Sequence, residues 1–149
     1  MDWPPHVTVA AVIARDNRFL LVEEHTDQGI RFNQPAGHLE PDESLLAAAK
    51  REVLEETAFH FTPEAVLAVQ LWRKALDAPT FLRLCFTGAA TDFESERMLD
   101  DGIIAAHWLS AETILAEGFP VRSPLVQEAI RLYQSGSRYP LSLVQSFLS

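Results

Sequence analysis

The stretch Ser44–Thr57 contains neither glycine nor proline and is dominated by Ala, Leu, Glu, Lys and Arg, the residues that a helix accommodates at least cost. It predicts one secure helix, opened by Glu40-Pro41-Asp42 with Asp42 as its cap. The segments around it have a different character. His6–Arg15 is a Val- and Ile-rich apolar run, Asp16-Asn17 marks a turn, and Arg18–Glu24 reads as the returning strand of a hairpin. Thr26–Ile30 reads as a polar loop, and Phe32–Leu39 as a short extended piece carrying Pro35 and Gly37. Beyond the helix, Ala65–Trp72, Thr80–Phe86 and Ile103–Leu109 read as strands, with Glu94–Gly102 as an acidic, irregular connection. Ser110–Glu117 and Pro124–Gln134 read as late helices, the second opened by Ser123-Pro124 and stopped at Gly136. Strands interrupted by one central helix and followed by late helices imply a mixed β-sheet covered by helices. With no internal repeat and no linker, residues 1–149 are expected to form one α/β domain.

Composition narrows the partners. The formal net charge is −9 and the pI about 4.9, so the basic stripe that long nucleic acid requires is missing. A small polyanion remains admissible where metal ions neutralise the site. No apolar run approaches the length of a membrane span. The start Met1-Asp2 is acidic rather than basic, unlike the start of a signal peptide. Cys85 stands alone, which leaves no intramolecular disulfide and fits a reducing, cytoplasmic setting. No zinc spacing of histidines, phosphate-binding glycine loop or nucleophile elbow occurs.

The chemistry concentrates on the central helix. At about 100° per residue, Glu55 and Glu56 lie about −60° and +40° from Glu52, so the three carboxylates share one arc. Ala48 and Ala49, one turn earlier, leave room beside them. Glutamates at these spacings repel one another and add nothing to an isolated helix, whereas a Mg²⁺ ion wants such hard oxygen ligands. The competing reading is a solvated acidic face with Arg51–Glu55 as a surface pair.

The spacing decides between them. Gly37, five residues, Glu43, seven residues, Arg51-Glu52-Val53-Leu54-Glu55-Glu56-Thr57-Ala58-Phe59 resembles the signature box of the Nudix hydrolases. Six residue types match, and at background frequencies a chance match falls below about one in a million per start. The resemblance implies a Nudix-type α/β/α sandwich with the box helix packed on the mixed sheet. It implies Mg²⁺ as cofactor, with Mn²⁺ as a substitute, held by Glu52, Glu55, Glu56 and the Gly37 carbonyl. Glu43 and Arg51 would form a structural salt bridge that orients the loop and the glutamates. Metal-activated water would attack phosphorus, its proton going to a box glutamate or to a later acid, Asp100 or Asp101. Ala58 departs from the box, standing where the family has a helix-ending glycine, and a remodelled helix end is expected there.

Further segments resemble one bacterial branch of the family, the NudJ-type nucleoside tri- and diphosphatases: His6-Val7-Thr8-Val9-Ala10, Asn33-Gln34-Pro35-Ala36-Gly37-His38-Leu39, Phe81-Leu82-Arg83, Trp108-Leu109-Ser110-Ala111-Glu112, Arg122-Ser123-Pro124-Leu125-Val126 and Arg138-Tyr139-Pro140-Leu141. That branch implies a small nucleotide or pyrophosphate substrate, hydroxymethylpyrimidine pyrophosphate included. Arg83 and Arg122 are the candidate phosphate contacts, against a reading as surface arginines paired with acids. Phe32, Trp72 and Phe81 are candidates to stack on a base, against a reading as core aromatics. ADP-ribose, a dinucleoside polyphosphate or capped RNA stay open as substrates, as does a non-catalytic nucleotide-binding module. A monomer or small homo-oligomer is expected.

Overall fold

A computed structural model describes residues 3–148. Two four-stranded sheets form the frame. The first contains β1 (His6–Val12), β5 (Ala36–His38), β6 (His60–Arg73) and β7 (Thr80–Thr91) in the order β5-β1-β7-β6. It is mixed: β1 runs parallel to β7, and the other pairs are antiparallel. The second is built on β3 (Arg18–Thr26), which pairs with β2 (Ala14–Arg15), β4 (Gly29–Asn33) and β8 (Ile103–Ser110). The helices are α1 (Leu45–Thr57), α2 (Ala111–Leu115) and α3 (Pro124–Gln134), and a single 3-10 turn spans Leu141–Leu143.

The apolar run of β1 is continuous because both of its faces are covered. Val9 and Ala11 pack with Ala48, Ala49 and Val53 of α1, while Ala10 and Val12 pack with Val126, Ala129 and Ile130 of α3. The first sheet thus lies between two helices, the α/β/α sandwich that the resemblance implied. Burying one such valine completely contributes about 2 kcal/mol, and Val9 and Val53 are both fully buried.

Local differences from the expectations have identifiable causes. The hairpin turn at Asp16-Asn17 is as expected, both residues taking positive φ (50° and 63°), the conformation short hairpins require of Asn and Asp. Tyr139 pairs with Val66 beyond the free edge of β6, and the long β6–β7 ladder carries two bulges, so both strands run further than their apolar cores suggest. The 26–30 segment is a tight turn followed directly by β4, whose Gly29 pairs with Thr26. Ser44, not Asp42, caps α1: its Oγ accepts the Ala47 N–H at 3.1 Å. Asp42 takes a positive φ of 65° in the preceding turn. Ala58 is not remodelled. It keeps the left-handed conformation of a helix-ending glycine (φ 66°, ψ 7°), donating its N–H to Leu54 and accepting that of Glu94.

Candidate metal centre and adjoining pocket

Ala48, Glu52 and Glu56 form one i, i+4 stripe on the buried side of α1, with Ala49 and Val53 beside it. Apolar residues there would serve the core, so two glutamates, 7% and 8% exposed, are placed against the hydrophobic effect. Burial is the main cause that pushes the Glu52 carboxyl up to about 7 and Glu56 up to about 9. Glu55, nearer solvent, is also raised, by burial and then by the Asp100 charge.

Arg51 organises this face. Its Nε and Nη2 donate to the two oxygens of Glu43 at 2.9 and 2.7 Å, and Nη2 also donates to the His38 carbonyl at 3.0 Å. Nη1 reaches Glu52 at 2.7 Å and Glu55 at 3.3 Å. Glu43 further accepts the Glu40 N–H at 2.8 Å, and the Arg51 hydrogen bonds hold its carboxyl below the ordinary value. The pair therefore ties the loop before α1 to the carboxylates on it. The absence of a Cβ at Gly37 lets the Glu52 carboxylate lie against the β5 backbone; a Cβ there would overlap that carboxylate as it stands.

Oxygens of Glu52, Glu55 and Asp100 lie within 4.8 Å of one another. Asp100 arrives from the loop before β8, where its N–H donates to the Glu55 carbonyl at 3.0 Å. Asp101 is not part of this group. Glu56, which helical geometry placed with Glu52 and Glu55, turns aside instead and accepts the Ala36 N–H at 2.9 Å. In this all-oxygen cluster Glu52 and Glu55 share one arginine that Glu43 already engages, and Asp100 has no contact with it among the described residues. Such a donor set fits a hard divalent cation.

Beside the cluster lies a pocket of about 420 Å³. Its floor is the α3 side of the first sheet, where register puts His38, Thr8, Arg83 and Gln70 in one cross-strand row and His6, Phe81 and Trp72 in another. Arg83 and Arg122 both line it, but Arg122 is bound to Glu24 at 2.7 Å. Phe32 does not line it; its ring stacks with Phe119 at 4.8 Å and faces His107 at 6.0 Å. A strand residue's face is set by its pairing, and β4 turns Phe32 towards the α3 core while Arg31 and Asn33 flank the pocket. Trp72 and Phe81 are the aromatics in position to stack. Glu24 and Asn33 line the pocket and Gln34 holds Arg83 beside them, and of these only Asn33-Gln34, next to Pro35, carries a local signal in the sequence.

A helix presenting carboxylates next to a basic, aromatic-floored pocket, on a mixed sheet between helices, is an arrangement suited to the hydrolysis of small phosphate compounds. The profile of the NUDIX domain matches residues 4–129. Phosphatase NudJ of Escherichia coli K12 is 44% identical over 145 residues, covering 97% of this chain and 94% of that one. A Nudix hydrolase from Nitrosomonas europaea superposes with a TM-score of 0.93 at 46% identity, covering 97% and 98% of the two chains. The Nudix domain of Shewanella oneidensis NrtR, solved with ADP-ribose, shares the fold at 18% identity and a TM-score of 0.69, covering 88% and 89%. The chain belongs to the Nudix hydrolase family. Divalent-metal use is general in that family, and the acidic cluster accords with it.

Proposed function

We propose that residues 1–149 act as one catalytic domain that hydrolyses phosphoanhydride bonds in nucleoside di- and triphosphates or related organic pyrophosphates, hydroxymethylpyrimidine pyrophosphate among them. The enzyme works with Mg²⁺, or Mn²⁺ in its place, in the cytoplasm, as a monomer or small homo-oligomer. The observation that carries this reading is the convergence of Glu52, Glu55 and Asp100 beside a pocket lined by Arg31, Lys74, Arg83 and Arg122. The likeness to Phosphatase NudJ supports the substrate class.

Glu52, Glu55 and the Gly37 carbonyl would hold the metal, and Glu56 would join them on leaving the Ala36 N–H. When bound, the ion polarises phosphate oxygens and makes water a stronger nucleophile. Arg51 fixes the Glu52 and Glu55 carboxylates, and Glu43 fixes Arg51. Water attacks phosphorus, the bridging P–O bond breaks, and Asp100, exposed at the rim of the cluster, takes the water's proton. Arg83 and Arg122 meet the phosphates, Arg122 while still paired with Glu24. At about 420 Å³ the pocket is near the small end of ligand sites, which suits a mononucleotide-sized compound over a dinucleoside polyphosphate.

The test is a panel of nucleoside di- and triphosphates, ADP-ribose, a dinucleoside polyphosphate and hydroxymethylpyrimidine pyrophosphate, assayed with Mg²⁺ for phosphate and pyrophosphate release. Turnover should require the metal and fall by about 100-fold or more in Glu55→Gln. Unchanged metal-dependent turnover in that variant overturns the metal assignment, and preferred cleavage of the dinucleotide overturns the size argument.

A further inference from the structure

Arg83 is a buried cation that no carboxylate contacts among the described residues. It is 6% exposed, and its guanidinium donates to two neutral amides, Gln34 Oε1 at 2.6 Å and Asn33 Oδ1 at 3.3 Å. Its Nε has no partner among the described residues. A buried guanidinium is ordinarily matched by a carboxylate, because an unpaired charge in a low-dielectric site is costly. Here the arrangement keeps carboxylates away. Glu24 is taken up by Arg122, Glu56 by the Ala36 N–H, and Gln34 is locked by donating to the Val126 carbonyl at 2.9 Å while fully buried itself. Amide oxygens hold the arginine's fork without cancelling its charge.

Position adds a second constraint. Thr8 stands between His38 and Arg83 in the cross-strand row, so two strand spacings, roughly 10 Å, separate the β5 backbone at the metal centre from the strand that carries Arg83. Arg83 is thus rooted two strands across the sheet from the Gly37 backbone. Charge is focused in the same place. Four of the chain's twelve Lys and Arg residues line this one pocket, against two acids, Glu24 and Asp27, in a protein of net charge −9.

We propose that Arg83, held uncompensated by the Asn33–Gln34 amide collar, is the specificity determinant for substrates that carry a further anionic group beyond the attacked phosphate, so that the pocket counts phosphates. Asn33 and Gln34 are positioning residues: they act by leaving the arginine charged and oriented. This inference rests on the phosphoanhydride hydrolase reading of the same site.

Asn33→Asp tests it, because the near-isosteric carboxylate holds Arg83 more firmly and neutralises it. The measurement is the ratio of kcat/KM for a nucleoside triphosphate to that for the matching diphosphate, with Mg²⁺ in excess. The ratio should fall by about tenfold or more in Asn33→Asp while the melting temperature holds or rises. Arg83→Gln should lower it likewise, and Arg83→Lys should recover most of it. Gln28→Asp places the same charge elsewhere on the pocket wall and should lower the ratio less. An unchanged ratio in Asn33→Asp and in Arg83→Gln overturns the inference, as does an equal fall in Gln28→Asp. Should the wild-type enzyme turn over no phosphoanhydride at all, the parent reading fails instead, so the two failures are distinct.

Discussion

Replacing Glu56 by glutamine should make the metal-free protein more stable, and increasingly so as the pH rises. The Glu56 carboxyl is pushed from 4.5 up to about 9 by burial, against the Ala36 hydrogen bond that lowers it, with Glu52 adding to the rise. The folded state therefore keeps this proton long after the unfolded chain has released it. A raised carboxylate of this kind does not disturb stability below pH 4.5. It erodes stability through the window up to about 9, at no more than about 1.4 kcal/mol per pH unit, and the loss levels off above that. The full displacement corresponds to about 6 kcal/mol, and side-chain rotation towards water trims it to about 3–6 kcal/mol. Glu52, raised to about 7, acts with the same sign over the lower part of the window. Glutamine retains an oxygen for the Ala36 N–H and has no proton to lose. Urea unfolding in EDTA from pH 5 to 9 should show a falling wild-type stability and a slope reduced by about one proton in Glu56→Gln. In the wild type, stabilisation by Mg²⁺ should grow with pH, reaching about 2.7 kcal/mol when the metal stands at 100 times its Kd. A wild-type stability that is flat or rising from pH 6 to 8, or an identical slope in the variant, refutes the reasoning.

Other perturbations test the scaffold. Arg51→Met removes the donor shared by Glu43, Glu52, Glu55 and the His38 carbonyl; it should cost about 2–4 kcal/mol and lower kcat with it, read by urea unfolding and steady-state kinetics. Gly88→Ala would drive a Cβ into the Thr62 carbonyl at the bulge in the β6–β7 ladder, and a loss of about 2–4 kcal/mol is expected by thermal unfolding. Ala58→Gly should shift stability by less than about 1 kcal/mol, since relief of left-handed strain is offset by a looser unfolded chain and a lost buried methyl. Phe32→Ala should lower stability by about 2–3 kcal/mol with little change in KM, while Trp72→Ala should raise KM, because only the second ring lines the pocket.

What could be read in advance follows the range of the interactions involved. The box helix, the Asp16-Asn17 turn and α3, found at Pro124–Gln134 as expected, rest on propensity, capping and turn chemistry within a few residues. The candidate ligands Glu52 and Glu55 were legible because their spacing is local to one helix. Even there, geometry on an ideal helix placed Glu56 with Glu52 and Glu55, and only the docking of β5 shows that the Ala36 N–H draws its oxygen away. Asp100 and Asp101 are indistinguishable in sequence; a single backbone hydrogen bond to the Glu55 carbonyl selects Asp100. Ala58 follows the same rule in reverse. Alone it argues against a left-handed helix end, but the Glu94 N–H captures its carbonyl and its methyl is buried at 2% exposure. Contacts that the chain makes across long separations thus overrule a local preference worth about 1–2 kcal/mol. The Arg83 collar belongs to this long-range class as well: partners 49 and 50 residues away decide that the arginine keeps its charge. An arginine on an apolar strand reads as a phosphate contact or as a surface residue alike until its register with Thr8 and Gln70 places it on the pocket floor.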